Sequence, residues 1–432
     1  MYWRLTFNVQ SAPCNPSCPL PLAAPLWYDE TSMPASDDII ICSARTSAEL
    51  DAFFQLAGET FTLSTLRSAA RWRQHVERAP DYVPGQVRCA FVATTLVGGY
   101  ILYERTMRVG FVTIPTGCFA TLVTHPDWRS RGVATALMHD AMTRAIERRL
   151  GLILLDGIAG FYGRFGYVDV LDTMRHIISR ALLAAMPRNS YTVRLATLDD
   201  APVLRDLYER HYAGYCGSFV RTIEWQRHDL ALRLEENPPR LACDDNGQVR
   251  GYLILPSRAP GNHAIEAAAD NWPAALTLLQ HHAGVAGEAA EIDWPLPPDS
   301  PTFYTLADHM NLTSRSYHHP DEGWMARPAH LPALFDCIGS LLDERRRAVG
   351  GEAFRLRIAG AEPSLAMGAS TGAPDLPAVV LTPQAFMQLL FGFRPAQWIA
   401  CYPGVHIPSA IVPTLDAMFP TGHAWIAGSD AF

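Results

Sequence analysis

The 432-residue chain contains no lysine: all 35 of its basic residues are arginine. That excludes a lysine Schiff base and a lysine general base. Long apolar runs are missing too, and no stretch approaches the roughly 20 residues that a membrane helix needs. The opening M-Y-W-R-L-T-F-N-V-Q lacks the apolar core of a signal peptide. Positive charge is not in excess. The net charge of −8 speaks against a general nucleic-acid binder and suits a cationic partner. The nine cysteines are scattered. Only Cys14 and Cys18 lie close together, in C-N-P-S-C, without a second pair or a histidine at zinc spacing. They read as reduced or incidental thiols of a cytoplasmic protein. His281-His282 and His318-His319 read as surface pairs, and no metal is expected.

What is present is enough chain for two or three domains. Residues 1–37 are rich in proline and small residues and read as a disordered extension, with Met33 a possible alternative start. From Asp38 to about Arg180 strands and helices alternate in the manner of an α/β domain with a mixed sheet. Ile39–Cys42 is a strand, Ser47 caps a helix with Leu50, Phe53, Phe54 and Leu56 inward, and a second helix covers about Leu63 to Arg78. Arg88–Thr94, Gly98–Tyr103 and Cys118–Thr124 read as strands. The helix Val133–Arg149 is expected to bury Ala136, Leu137, Met142 and Ile146, before the strand Leu152–Leu155 and a last strand around Tyr167–Val170. Near Tyr191 the opening pattern returns, with a strand, then Thr197-Leu-Asp-Asp leading a helix to His211. A third segment has helices at Leu331–Arg345 and Thr382–Phe391, and strands at Ala353–Ile358 and Ala378–Leu381. Its stripe Ala385, Phe386, Leu389 and Leu390 reads as core.

The densest signal is L-V-T-H-P-D-W-R-S-R-G-V-A-T, Leu122 to Thr135. An apolar strand ends, a short turn follows, and a helix opens among arginines. Free backbone N–H groups and the helix dipole at such a start both favour a pyrophosphate. The spacing Arg129-x-x-Gly132-x-Ala134 resembles the coenzyme A signature of the GNAT N-acetyltransferases. After the next strand comes Phe161-Tyr162-Gly163-Arg164-Phe165-Gly166-Tyr167, where GNAT enzymes carry a tyrosine near the sulfur of acetyl-CoA. An unperturbed phenol, with a pKa near 10, can protonate a leaving thiolate at neutral pH. Y-G-R-F-G-Y is similar to the Eis (enhanced intracellular survival) family of N-acetyltransferases. Further marks of that family are Gly323-Trp324-Met325-Ala326-Arg327, the segment from Leu381, and the ending Phe419-Pro420 to Phe432.

The resemblance covers about residues 38–432. It implies an α/β architecture with mixed sheets: a catalytic GNAT domain at 38–185, a degenerate GNAT-like domain at 186–322, and a sterol-carrier-protein-like domain at 323–432. Nothing between 190 and 320 repeats Arg-x-x-Gly-x-Ala after a strand, so the second copy is expected not to hold coenzyme A. The resemblance implies acetyl-CoA as co-substrate and no metal. Acetyl would pass to a primary amine of an aminoglycoside, a polyamine or a lysine side chain, by direct attack in a ternary complex. It implies a homo-oligomer, in that family a hexamer, with no nucleic-acid or membrane partner. Tyr162 would be the general acid and the main-chain carboxylate of Phe432 the general base. Leu122, Val123 and Thr124 would flank the pantetheine arm. Arg129, Ser130, Arg131, Gly132, Val133, Ala134 and Thr135 would hold the pyrophosphate. Gly157 and Ile158 stand where the family often carries Ser-Glu, so contacts there reduce to backbone. The competing readings are a longer-chain acyltransferase and a non-catalytic acyl-CoA- or lipid-binding protein.

Overall fold

A computed structural model describes residues 39–61, 68–256, 261–368 and 375–432. The expected extension 1–37, Met33, Cys14, Cys18 and the first residues of the helix expected from Leu63 lie outside the described residues.

The first module runs β1 (Ile39–Ser43), α1 (Ser47–Thr60), α2 (Ala69–Arg78), β2 (Val87–Val92), β3 (Thr95–Val109), β4 (Val112–Thr124), α3 (Val133–Glu147), β5 (Leu152–Gly157) and β6 (Val168–Asp169). A second follows as β7 (Thr173–Ser179), α4 (Arg180–Ala185), β8 (Thr192–Leu195), α5 (Ala201–Tyr212), α6 (Ile223–Glu236), β9 (Arg240–Cys243), β10 (Val249–Ile254), β11 (Glu266–Ala269), α7 (Trp272–Val285), β12 (Glu291–Trp294), α8 (Pro301–Ala307) and β13 (Thr313–Tyr317). The remainder is β14 (Gly323–Pro328), α9 (Leu331–Ala348), β15 (Phe354–Ile358), β16 (Ser364–Met367), β17 (Ala378–Leu381), α10 (Pro383–Leu390), α11 (Ala396–Ile399) and α12 (Val412–Met418).

The main sheet has the order β1-β2-β3-β4-β5-β14-β6. Its first four strands are antiparallel, whereas β4 and β5 are parallel. The strand–helix–helix–three strands–helix–strand order of β1 to β5 recurs from β8 to β12, and β8-β9-β10-β11 again form an antiparallel sheet. β14 lies beside β5 along its whole length. A strand from the head of the third segment is thereby built into the first sheet.

Side chains of a strand point alternately to the two faces, and the two faces of this sheet carry different cores. Ile153, Leu155 and Met325 join Val133, Leu137, Ala141 and Ala145 of α3. Leu152, Leu154 and Trp324 point the other way and join α9 and α10. Helix α3 is fixed across the sheet by a polar clasp. Asp140 accepts from Tyr100 Oη (2.6 Å) and from Arg88 Nε and Nη2 (2.8 and 2.6 Å). Gly98 lets α3 approach closely, because a Cβ there would sit 2.9 Å from Val133 and 2.6 Å from the Val123 carbonyl oxygen.

Several details differ from the sequence reading. The cap of α1 is Thr46, not Ser47; Thr46 and Glu49 form a reciprocal capping box. The inward face of α3 is Val133, Leu137, Met138, Ala141 and Ala145, while Ile146 is 45% exposed. His282 is not a surface residue: it is fully buried, bonded to the Gly261 carbonyl (3.1 Å) and to Trp294 Nε1 (3.1 Å). Burial pushes its imidazole down to about 4.

Candidate active site

The site is built where β4 and β5 separate. Their parallel pairing covers only Thr116–Cys118 opposite Leu152–Leu154. Beyond it β4 continues to Thr124 and β5 to Gly157, so the two edges diverge into an open wedge. A bulge in β4 accompanies the opening. Gly99 pairs Val123 and Ile101 pairs Ala120, so Thr121 and Leu122 together oppose Tyr100, and Thr121 takes φ +56°. Such a bulge twists a strand and frees backbone groups from the ladder. Val123 is buried, with its side chain in the α1 core, while Leu122 and Thr124 are half-buried. Backbone N–H and C=O groups on this edge can therefore meet an extended ligand arm as a neighbouring strand would.

At the open end of the wedge α3 begins. Gly132 is its N-cap at φ +80°, no side chain caps the helix, and Ser130 also has positive φ (+59°). The first helical bond runs from Ala136 N–H to the Gly132 carbonyl (2.9 Å). The N–H groups of Val133, Ala134 and Thr135 thus have no carbonyl one turn earlier. A Cβ on Gly132 would meet nothing within 4 Å, so the approach to those donors is clear. Arg129, Ser130 and Arg131 are exposed around it, and the Arg131 guanidinium lies 5.1 Å from the Trp128 ring centre. Dipole, unpaired donors and guanidinium groups converge on one spot suited to a phosphate.

Tyr162 stands beside the wedge on the α3 face. Its ring meets Phe119 of β4 (6.4 Å), Phe161 (4.9 Å) and Tyr167 (6.0 Å), all near-perpendicular. It is 8% exposed, and its hydroxyl has no hydrogen-bond partner among the described residues. Burial raises its pKa well above that of an ordinary phenol, and the charge of Asp156 adds to this. Tyr162 therefore stays protonated at neutral and moderately alkaline pH. Gly157 is needed beneath it, since a Cβ would lie 2.7 Å from Met325 Sδ and 3.2 Å from the Tyr162 ring. Ile158 is 56% exposed. Tyr167 packs in the core.

The other face of the wedge is closed by the segment that ends in Phe432. The Phe432 ring packs edge-on to Trp324 (5.5 Å), and Trp324 is the register partner of Asp156. Tyr162 and Phe432 thus flank the wedge from opposite faces of the sheet. Sequence reasoning missed Asp156. It ends the apolar run L-I-L-L-D-G, and on this face it stands beside Trp324 at the mouth. Its side chain reaches the surface, yet the surrounding protein displaces enough water to raise its carboxyl above the ordinary range, with Glu322 contributing. An acid closing an apolar strand was the available signal. Among the described residues no group of three or more His, Cys, Asp or Glu could hold a metal ion, and no helix is long and apolar enough to cross a membrane.

Comparison with known proteins converges on this region. Residues 43–169 match the family described as Acetyltransferase (GNAT) domain. Among solved structures, the chain is similar to a conserved protein of unknown function from Enterococcus faecalis V583, described as a probable N-acyltransferase. The TM-score is 0.68 at 14% identity, over 89% of this chain and 98% of that one. A GCN5-related N-acetyltransferase from Kribbella flavida gives 0.67 at 19% identity, over 91% and 100%. Eis1 from Mycobacterium abscessus gives 0.63 at 19% identity, over 90% and 99%. These likenesses concern the fold, and they extend it over nearly the whole chain. No curated protein matches the chain in sequence.

Proposed function

We propose that this protein is an N-acetyltransferase of the Eis type, passing the acetyl group of acetyl-CoA to a primary amine in a ternary complex. The observation that carries the reading is the juxtaposition of uncapped N–H groups at the start of α3 with a strand wedge overlooked by the protonated Tyr162. The repeated element order of the first two modules supports a duplicated fold. The start of α7 supports a second copy without coenzyme A. There Asn271 caps the helix through Ala274 N–H, Pro273 follows, and Trp272 stacks on His309 at 4.5 Å, so that helix offers no open phosphate nest. A sterol-carrier-protein-like third domain, acceptors such as aminoglycosides, polyamines or lysine side chains, and a cytoplasmic homo-oligomer rest on the family resemblance.

Acetyl-CoA would supply a reactive thioester and a thiolate leaving group. Val133, Ala134 and Thr135 donate N–H groups to its pyrophosphate, with Arg129 and Arg131 beside them. The β4 edge at Leu122–Thr124 aligns the pantetheine arm, and a backbone N–H there polarises the thioester carbonyl. The neutral amine enters from the opposite face. Its nitrogen bonds to the carbonyl carbon as the carbon–sulfur bond breaks. Tyr162 gives its proton to the sulfur, and the carboxylate of Phe432 takes the proton from nitrogen. A terminal carboxylate is a weak base, and Asp156 stands at the same mouth as a second acceptor. Holding amine and thioester together supplies much of the rate gain.

The test is release of free thiol from acetyl-CoA across a panel of amines. Acetylated amine formed with equal release of thiol is the expected result. Turnover only with longer acyl-CoA would replace acetyl transfer by longer-chain acyl transfer. Coenzyme binding without thiol release would leave a binding protein.

A further inference from the structure

On the face of the sheet opposite Tyr162, a cavity of about 160 Å³ opens between the first module, the second module and the final segment. Its walls include Asp81 after α2, Glu104 and Arg105 of β3, Phe219, Trp225 of α6, and Asp430. The Phe432 ring links it to the wedge, lying 5.7 Å from the Arg105 guanidinium on one side and 5.5 Å from Trp324 on the other. An acceptor approaching the thioester from this face passes this cavity.

The chemistry centres on Arg105. Tyr103, Phe219, Trp225 and Phe432 surround its guanidinium at 5.6, 5.7, 5.6 and 5.7 Å. The side chain is only 14% exposed, yet among the described residues it donates one hydrogen bond, from Nη1 to the Asp430 carbonyl oxygen (2.9 Å). Asp81 lies 3.5 Å from Nε, but the Nε–H is buried without a hydrogen-bond partner. The other charges of the wall are satisfied. Glu104 takes two bonds from Arg148 (2.8 and 2.9 Å). Arg221 is held by Glu266 and by Asp430 (2.9 Å to each). Buried guanidinium donors left unfilled are costly. Here the buried Nε–H belongs to a side chain that lines a space large enough for a ligand.

We propose that this cavity receives the far end of the acceptor and that Arg105 binds a carboxylate there. Among amine acceptors, those that also carry an anionic group are then favoured. This rests on the acetyl-transfer reading. A planar guanidinium with unfilled N–H groups matches a carboxylate in shape and charge. The aromatic walls exclude water and suit the hydrocarbon between carboxylate and amine.

The experiment compares matched pairs, 6-aminohexanoate with hexylamine and L-ornithine with putrescine, as acceptors for the full chain at saturating acetyl-CoA. The carboxylated member is expected to have a kcat/KM about tenfold or more higher. Arg105→Met should bring each pair within about twofold while leaving the KM for acetyl-CoA unchanged, and Arg105→Lys should keep part of the preference. Asp81→Asn, which removes the competing carboxylate, should widen it. A wild-type preference for the decarboxylated amines, or ratios that neither Arg105→Met nor Asp81→Asn moves, overturns the assignment. Calorimetric binding of the same amines in the presence of coenzyme A separates the two readings. A carboxylate preference in binding that Arg105→Met abolishes, with no thiol release from any amine, would retain the Arg105 site and reject acetyl transfer.

Discussion

Tyr162 shows how surroundings keep an ordinary phenol protonated. Phe119, Phe161 and Tyr167 remove water from around it, and the hydroxyl gains no partner that would favour ionisation. Tyr162→Phe should lower kcat about 100-fold with little change in the KM for acetyl-CoA, measured by thiol release; undiminished turnover would remove the acid role. Asp156 carries the opposite cost. Its carboxyl is raised in the folded state, so the native protein holds that proton more tightly than the unfolded chain. Stability from this group is then fully present below the ordinary aspartate pKa near 3.9 and declines as pH rises through the raised value. Asp156→Asn should therefore raise the Tm at pH 7, and the gain should vanish as pH falls below about 4. A thermal melt showing no gain at pH 7 would contradict the raised carboxyl. Tyr162 could be singled out from sequence because its motif is local. Asp156 was not, because only pairing with β14 and Trp324 places it at the mouth.

The elements most legible in sequence were those with capping chemistry, and the least legible were those decided by close packing. At the start of α1 the sequence reading found the helix but placed its cap one residue late, at Ser47; T-S-A-E is a reciprocal box whose acidic third helical residue, Glu49, points to Thr46. Thr46→Ala should cost about 1 kcal/mol by denaturant unfolding, while Ser47→Ala should cost little. Equal effects would reverse that assignment. For α3, choosing the larger apolar residues selected Met142 and Ile146. The sheet instead takes the small Ala141 and Ala145. A helix drawn close over Gly98 fits small side chains against the strands, so side-chain size was a poor guide to burial there. The start of β4 was also missed. The strand begins at Val112, not Cys118, because Pro115 and the polar residues around it mask the alternation.

For the whole molecule, the interlocking of distant segments was not visible in sequence. β14 follows β5 by more than 160 residues, and no local pattern announces that Met325 will pair with Leu155. The second module is likewise stitched to the first. Arg108 N–H donates to the Ser218 carbonyl (2.8 Å), and Val220 N–H donates to Thr106 (2.9 Å). Cys216 then pairs with the final segment, receiving a bond from Trp425 N–H (2.8 Å). A fragment ending at Glu322 would lose the strand covering β5 and expose a long apolar edge. It should aggregate or fail to show a cooperative melt, whereas an autonomous fragment with the wild-type transition would contradict this interdependence.

The central claim is that uncapped amides at the start of α3 hold the donor coenzyme, and calorimetric titration of acetyl-CoA into the wild-type protein and into Gly132→Val tests it most directly. Saturable binding at one coenzyme per chain, weakened about tenfold or more by the valine that crowds those amides, is the predicted result. No binding to the wild type, or equal affinity in both proteins, would contradict it.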